Sequence, residues 1–309
     1  MTFEAFVPEE VEAALGRRYS VGLNIASGGQ GAVFRATRTS RPDGTPTNDF
    51  VALKLHFDPR QAIRVQREVT ALEHISHPHL ARLIEHGYCY VGGRKTRYIA
   101  YEFIEGQSLR QRLKNGGRLL ESEILPIARD IAAAIAALWS QRIVHGDIKP
   151  SNIMLRESNG GAILIDLGVL RFFEEEGATR PLRPTGYLSP DLVRPWGTVG
   201  YLSPEQARGE MLSCASDIFS LGVVMVESLQ GWHPTNYDQN ALSDGIRASG
   251  RRLDASPALL SVLDKMLLAT PRARGRITKL SGYFQELQQR MEVDFASGRR
   301  SLRERQGSL

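Results

Sequence analysis

The sequence predicts an α+β chain with two lobes: a small β-rich first lobe that carries one helix, and a larger second lobe that is mostly helical. Strand-like apolar stretches fill the first third of the chain, and long apolar segments with helical spacing follow Leu109. The 309 residues are 42% hydrophobic and 24% charged, which is ordinary for a globular protein with a sizeable core. The length suits a two-lobed enzyme.

The first lobe is preceded by a short predicted helix over Pro8–Leu15, with proline in its first turn and Gly16 at its end. A second helix is predicted over Gln61–Ile75, where apolar residues recur at helical spacing. A turn-rich loop is expected over 41–46. The strands of this lobe are predicted at 19–25, 32–37, 50–55, 80–87 and 98–103.

The second lobe is predicted to contain long helices over 122–141, which is alanine-rich, 216–230 and 257–268. We expect the lobes to join at a hinge near residues 102–106. The predicted division is an N-terminal helical extension over 1–17, a first lobe over 18–103, a second lobe over 104–288 and a flexible basic tail over 289–309.

Charge and composition argue against several classes of function. The net charge of +5 has no nucleic-acid motif beside it, and no apolar run approaches the roughly 20 residues of a membrane helix. Cys89 and Cys214 lack metal-binding spacing, so we expect free thiols in a reducing compartment. The N-terminal residues are too acidic for a signal peptide. We expect a cytoplasmic protein without a nucleic-acid partner or membrane segment, and a dimer stays open.

The most informative motif is the run His145–Asn152, which places Asp147, Lys149 and Asn152 at short fixed offsets. An aspartate can accept a proton from an attacking hydroxyl. A lysine two residues later can hold the phosphate being transferred, and an asparagine five residues after the aspartate can bind a divalent ion. Asp166 follows an apolar strand and adds a second metal-binding carboxylate. The pattern indicates phosphoryl transfer from Mg-ATP.

A glycine-rich run over 27–31 lies between two predicted strands. Glycines there let backbone N–H groups approach phosphate oxygens, because no Cβ interferes. Such a run by itself is weak evidence, since many glycine-rich hairpins bind nothing. No Lys-Ser/Thr pair follows it, so it is not a Walker A loop.

Taken in order, these segments resemble the protein kinase signature. His145–Asn152 is similar to the catalytic loop His-Arg-Asp…Asn, Asp166–Gly168 to Asp-Phe-Gly, and Val51–Lys54 to Val-Ala-Ile-Lys. Gly197–Glu205 resembles the end of the activation segment of Ser/Thr kinases. The resemblance covers about residues 18–285 and is closest to bacterial-type (Hanks-type) eukaryotic-like serine/threonine protein kinases. It implies the bilobal protein kinase fold, with one regulatory helix in the N-lobe.

This resemblance implies a role for each site residue. Asp147 would orient the acceptor hydroxyl and accept its proton, Lys149 would steady the γ-phosphate, and Thr198 would hydrogen-bond both. Lys54, positioned by Glu68, would hold the α- and β-phosphates, although an isolated Lys–Glu pair is more often a surface ion pair. The implied metal ligands, for Mg²⁺ or alternatively Mn²⁺, are Asn152 and Asp166. The residues implied to bind ATP are Ala26, Ser27, Gly28, Gly29, Gln30, Gly31, Val33, Ala52, Lys54, Tyr101, Glu102, Ile104 and Met154.

Two structural contacts follow from the same resemblance. Glu205 is expected to form a buried pair with Arg274, and Asp217 is expected to hold the backbone of the catalytic loop. The sequence departs from the family pattern at Ala26, which replaces the first loop glycine, and at Gly146, which replaces the catalytic-loop arginine. Because that arginine usually binds a phosphate on the activation segment, phosphorylation control through this contact is lost. A third departure is Leu167, which keeps an apolar side chain where phenylalanine is usual.

The segment between Asp166 and Glu205 is long for the family and carries hydroxyl residues among arginines. We expect autophosphorylation within 169–196, at Thr179 or Thr185; an unmodified surface loop is the alternative. Residues 185–191 resemble 199–205, and a pseudosubstrate role for this repeat is a weaker hypothesis.

The leading prediction is an active protein Ser/Thr kinase, a nucleotide-binding transferase of bacterial signalling type. The alternative is a pseudokinase, an ATP-binding scaffold with the same fold, although every polar catalytic position holds the expected residue type. A small-molecule phosphotransferase is disfavoured, because such enzymes lack the Thr198–Glu205 segment and usually Lys149.

Overall fold

The computed structural model describes residues 6–28, 31–40, 44–56, 66, 69–70, 72–166, 171–172, 197–251 and 253–306, and only the backbone at 28, 171–172 and 294–306. The chain divides into two compact units, Met1–Glu105 and Gly106–Leu309.

The first unit is built on an antiparallel five-stranded sheet in the order β1-β2-β3-β5-β4. A helix, α1, precedes the sheet, and residues 69–70 and 72–74 of the predicted second helix are helical. The rest of that second segment, except residues 66 and 75, lies outside the described residues. The elements are α1 (Pro8–Ala14), β1 (Tyr19–Gly28), β2 (Gly31–Ser40), β3 (Pro46–His56), β4 (Leu83–Val91) and β5 (Arg94–Glu102).

Strands β4 and β5 continue to the Gly92–Gly93 turn that joins them, well past the ends expected from the sequence. Both glycines have positive φ, which a two-residue hairpin turn requires. The alternation of apolar and polar residues is weak here because the outer face of β4 carries exposed aromatics, Tyr88 and Tyr90. Pairing across the hairpin therefore sets the length of these strands.

Helix α1 is part of the core of the first unit. Val11 and Leu15 are 0% and 3% exposed and pack in one cluster with Tyr19 and Phe34. The carboxylate of Glu12 accepts a hydrogen bond from the backbone N–H of Val21 at 2.9 Å. Because β1 is an edge strand, this bond satisfies a backbone group that would otherwise lack a partner in the sheet.

The second unit is mostly helical. Its elements are β6 (Gly106–Ser108), α2 (Leu109–Gly116), α3 (Glu121–Ser140), β7 (Ile143–Val144), β8 (Ile153–Arg156), β9 (Ala162–Leu164), β10 (Arg171–Phe172), α4 (Pro204–Ala207), α5 (Cys214–Gln230), α6 (Pro257–Met266) and α7 (Ile277–Gln306). Strands β6, β8 and β9 form a small antiparallel sheet, and β7 pairs with β10. Short 3₁₀ turns lie at Pro150–Asn152, Asn240–Leu242 and Pro271–Ala273.

Helix α5 is the buried centre of this unit. Its residues from Ala215 to Gln230 are all buried, which is typical of a helix enclosed by protein on every side. The Ser213 hydroxyl accepts a hydrogen bond from the N–H of Ala215 at the N-terminus, and Gly231 ends the helix with φ +90°. This rigid helix supplies Asp217 to the site described below.

Helix α7 continues to Gln306, so it includes most of the stretch 289–309, whose flexibility stays a prediction. Glutamine, glutamate and arginine, common in this stretch, are good helix formers, which accounts for a helical backbone in a polar, basic segment. In the described part of the chain, no helix combines the length and apolarity needed to cross a membrane.

Candidate active site

The loop that follows β7 is held by Asp217 at the start of α5. Its two carboxylate oxygens accept the backbone N–H groups of His145 (2.9 Å) and Gly146 (2.8 Å). Burial raises the pKa of Asp217, while the two N–H groups and His145 favour its charged form. The expected contact between Asp217 and the loop backbone is confirmed.

Gly146 has φ +77°, in the left-handed region. For other residue types this conformation costs roughly 1–2 kcal/mol, because Cβ approaches the following carbonyl oxygen. Glycine adopts it without that penalty. The departure at 146 thus suits the backbone that the loop requires.

Asp147 is the centre of a hydrogen-bonded network. Its Oδ2 accepts a bond from Lys149 Nζ at 2.8 Å, and its Oδ1 accepts one from Thr198 Oγ1 at 2.7 Å. Lys149 Nζ also donates to Thr198 Oγ1 at 2.6 Å, which closes a ring of three side chains. The carboxylate is thereby fixed in position, as a group that must orient a hydroxyl has to be.

Thr198 reaches this network because Gly197 lies directly against the loop. Gly197 has φ +117°, and a Cβ added there would lie 2.7 Å from the Gly146 carbonyl oxygen. No other residue fits so close to that oxygen without displacing the backbone. The sequence-based expectation that Thr198 bonds Asp147 and Lys149 is confirmed as a contact.

Asn152 and Asp166 are the implied metal ligands. Asn152 Nδ2 donates to the Asp147 backbone oxygen at 2.9 Å and to Asp147 Oδ2 at 3.2 Å, so its amide oxygen remains as the donor atom for a cation. The backbone of Asn152 accepts the N–H of Ile165 at 2.9 Å, which brings the chain at Asp166 alongside. Asp166 adopts φ +62°, a conformation that aspartate tolerates better than most residues.

This donor set fits a hard divalent ion. Amide and carboxylate oxygens are typical Mg²⁺ ligands, and Mg²⁺ is usually bound by one or two carboxylates together with substrate phosphates. Among the described side chains, no group of three or more His, Cys, Asp or Glu residues forms a complete metal site. The two residues therefore suit an ion that arrives with a phosphate ligand.

The nucleotide-binding residues predicted in the first unit lie on its sheet. Val33 on β2 is directly opposite Lys54 on β3, and Ala52 is opposite Tyr101 on β5. Lys54 is largely buried at 8% exposure. Glu102 ends β5 half-buried, and Ile104 beyond it is buried.

The glycine-rich run connects β1 and β2. Ala26 and Ser27 are exposed on β1, which ends at Gly28, and Gly31 begins β2. A Cβ at Gly31 would lie 1.9 Å from the Leu55 carbonyl oxygen, so the sheet itself requires glycine there. Gly29, Gln30, Glu68, Leu167, Gly168 and the segment 173–196 lie outside the described residues. In the second unit, Met154 is half-buried on β8.

Glu205 and Arg274 form the expected buried pair. Two parallel bonds join them, at 2.6 Å and 2.7 Å, with the residues 1% and 3% exposed. Arg274 also donates to the carbonyl oxygens of Leu268, Ala215 and Ala269. Bidentate geometry and full use of the guanidinium make this pair a structural anchor for the segment that carries Thr198.

A second polar cluster was not predicted. The Tyr201 hydroxyl donates to Glu227 at 2.6 Å and accepts a bond from Arg110, which also pairs with Glu227 at 2.7 Å. Burial and the neighbouring carboxylate raise the pKa of Tyr201, so it stays protonated as the donor. The sequence offers little advance signal for this cluster, because Glu227 is one of two acidic residues in α5 and no motif assigns it a partner.

The segment after α5 holds the Gly200–Leu202 backbone. His233 Nε2 lies 2.8 Å from the Gly200 carbonyl oxygen, and burial lowers its pKa. The Gln239 side chain accepts the N–H of Gly200 and donates to the carbonyl oxygen of Leu202. These contacts join side chains to backbone groups, which every residue carries. The sequence pattern therefore does not predict them.

Comparison with known proteins decides the family. A family model described as "Protein kinase domain" matches residues 19–283. The chain belongs to the protein kinase family. The sheet of the first unit and the helical second unit agree with this kinase fold, so the predicted fold class is confirmed.

Two bacterial kinases are among the proteins to which this chain is similar. It is 31% identical over 268 residues to the serine/threonine-protein kinase PknA of Nostoc sp., covering 85% of this chain and 46% of the relative. It is 30% identical over 267 residues to the serine/threonine-protein kinase PknB of Mycolicibacterium smegmatis, covering 84% and 41%. The kinase thus spans less than half the length of these relatives. The predicted resemblance to Hanks-type bacterial Ser/Thr kinases is confirmed.

The hydrogen bonds among Thr198, Asp147 and Lys149 predict that a change at Thr198 lowers the rate of phosphate transfer. Replacing Thr198 by valine keeps the shape but removes the hydroxyl that links Lys149 and Asp147. We expect phosphate transfer to fall by roughly tenfold to a hundredfold, because a misplaced reacting group costs about that much. Thr198→Ser, which restores the hydroxyl, should retain most of the rate. Equal steady-state rates for the valine variant and the wild type would contradict this role.

Proposed function

We propose that this kinase transfers the γ-phosphoryl group of Mg-ATP to serine and threonine hydroxyls of protein acceptors. The closed network of Asp147, Lys149 and Thr198 carries the proposal, because it fixes a carboxylate and a cation at one point. The family uses ATP with a divalent ion, and the relatives named above are serine/threonine-protein kinases.

In this proposal the residues act mainly by positioning and by compensating charge. Asp147 orients the acceptor hydroxyl and takes its proton at the carboxylate, while Lys149 neutralises charge on the γ-phosphate. Lys54, positioned by Glu68, holds the α- and β-phosphates. Thr198 keeps Asp147 and Lys149 at a fixed separation. The proton thus moves to the carboxylate as the bond from the acceptor oxygen to the γ-phosphorus forms, and the bond from that phosphorus to the β–γ bridging oxygen breaks and releases ADP.

Asn152 and Asp166 would hold the divalent ion, which supplies charge neutralisation on the phosphates when bound. Magnesium is the ion we propose, with manganese as the alternative. The glycine-rich run 27–31 would contact phosphate through its backbone. Val33, Ala52 and Met154 would enclose the adenine, with Tyr101 behind it and the backbone of Glu102 and Ile104 bonding its edge.

Regulation and setting complete the proposal. Autophosphorylation is proposed within 169–196, at Thr179 or Thr185, which lie outside the described residues. A cytoplasmic location is supported by the free thiols of Cys89 and Cys214. A dimer is compatible with this function, and analytical ultracentrifugation distinguishes it from a monomer.

The proposal is tested with ATP labelled on its γ-phosphate. The wild-type chain is incubated with a generic acceptor protein and magnesium, manganese or a chelator, and the labelled residues are identified by mass spectrometry. We expect label on serine or threonine that needs the metal. ATP binding without any transfer, measured as a rise in the melting temperature, would overturn the proposal in favour of a pseudokinase. Label confined to tyrosine would contradict the proposed acceptor.

A further inference from the structure

Gln206, one residue beyond Glu205, makes a contact with the catalytic loop that no motif assigns. Its Nε2 donates to the carbonyl oxygen of Gly146 at 2.6 Å, and the Gln206 side chain is buried at 3% exposure. The residue lies sixty positions from its partner along the chain. Its side chain therefore joins α4 directly to the peptide group that precedes Asp147.

The orientation of the Gln206 amide is set by the start of α4. Ser203 caps this helix: its hydroxyl accepts the Gln206 N–H at 3.3 Å, and Gln206 Oε1 accepts the Ser203 N–H at 3.4 Å. This reciprocal capping leaves the amide nitrogen directed at Gly146. The bond to the loop is thus built into the helix cap, and it has a defined donor.

Gly146 depends on such contacts more than another residue would. Glycine has the largest backbone freedom of any residue, and it offers no side chain to anchor the loop. Asp217 holds the N–H of Gly146, and Gln206 holds its carbonyl oxygen. Together they fix the peptide planes on both sides of Gly146. A rotation of the second plane would swing Asp147 away from Lys149 and Thr198.

We propose that Gln206 is a positioning residue for Asp147, which holds the flexible Gly146–Asp147 peptide in the conformation needed for phosphate transfer. This inference rests on the proposed function, in which Asp147 acts on the acceptor hydroxyl. Gln206 touches neither acceptor nor nucleotide in this role. The bond compensates for the side chain that Gly146 lacks.

The test is Gln206→Glu, an isosteric change that sets a carboxylate oxygen against the Gly146 carbonyl. The matched control is Gln230→Glu, since Gln230 is also buried and donates to a backbone carbonyl, that of Trp232 at 2.7 Å. We expect kcat to fall roughly tenfold to a hundredfold in the Gln206 variant with an unchanged KM for ATP. The control should keep its kcat even if its melting temperature falls similarly.

A second readout separates this inference from the proposed function. Amide hydrogen exchange over 143–153 should accelerate in Gln206→Glu and stay unchanged in Gln230→Glu, whether or not the chain is active. If the glutamate variant does not fold, Gln206→Met, which removes the donor without adding charge, replaces it in both measurements. Exchange and kcat equal to wild type would overturn the positioning role. An inactive wild type with faster loop exchange in the variant would refute only the proposed function.

Discussion

Replacing Asp147 by asparagine is expected to lower phosphate transfer by roughly 10²–10⁴-fold while ATP binding is retained. The amide has the size of the carboxylate but takes no proton from an acceptor hydroxyl. It also places an N–H₂ group in the position of one of the two oxygens that now accept bonds from Lys149, Asn152 and Thr198. The loss therefore combines a missing base with a disturbed network. Single-turnover transfer and nucleotide titration measure the two properties separately.

Asp254→Asn is the matched control for that experiment. Asp254 is exposed, and among the described residues its ion-pair partner is Arg118 at a long distance of 3.5 Å. Its replacement should leave transfer unchanged. Retention of most of the rate in Asp147→Asn would mean that this carboxylate does not act as the base. Loss of ATP binding along with transfer would point instead to a folding defect.

Replacing Arg274 by methionine is expected to lower the free energy of unfolding by about 3–5 kcal/mol, the usual cost of breaking a buried ion pair from one side. The change leaves Glu205 buried without its partner and removes the donor from the carbonyl oxygens of Leu268, Ala215 and Ala269. Urea unfolding followed by circular dichroism measures the loss.

Two variants show whether the pair is responsible. Arg272→Met alters an exposed arginine of the same turn and should change stability little. Glu205→Leu combined with Arg274→Met removes both charges and should be more stable than Arg274→Met alone, because no buried carboxylate is left unpaired. A double variant no better than the single one would contradict this explanation.

The same pair predicts the direction of the pH dependence. Burial alone would raise the pKa of Glu205, but the hydrogen bonds and charge of Arg274 lower it below its ordinary value of 4.5. The stabilisation is therefore complete above about pH 4.5 and is lost as the pH falls through the lower folded-state pKa. In Arg274→Met this acid-dependent contribution should be absent.

The contacts that the sequence predicted share one property: both partners belong to motifs of distinctive chemistry. Glu205 and Arg274 carry opposite charges, and Thr198 ends at a hydroxyl beside an acid and a base. Such side chains are rarely buried unless they are paired, and the resemblance to the kinase signature implied which partners meet. The distances and angles between these side chains became known only from the folded structure.

Several of the contacts that the sequence missed join a side chain to a backbone group, whereas the missed cluster of Tyr201, Glu227 and Arg110 joins side chains. Gln206 bonds the Gly146 carbonyl, and Glu12 bonds the Val21 N–H. Every residue except proline offers the same backbone donor and acceptor, so the sequence does not show which one is chosen. Element ends were similarly hard to predict, as β4 and β5 show, because pairing partners decide where a strand stops.

The packing of α1 shows that the segment matched by the family model and the segment that folds as one core begin at different residues. The family model begins at residue 19, yet Val11 and Leu15 before it are as deeply enclosed as the strands they cover. A chain that began at residue 19 would expose the apolar residues of the sheet that Val11 and Leu15 cover. It would also lack Glu12, whose carboxylate accepts the N–H of Val21 on the edge strand. Stretches that share ancestry and stretches that fold together need not begin at the same residue.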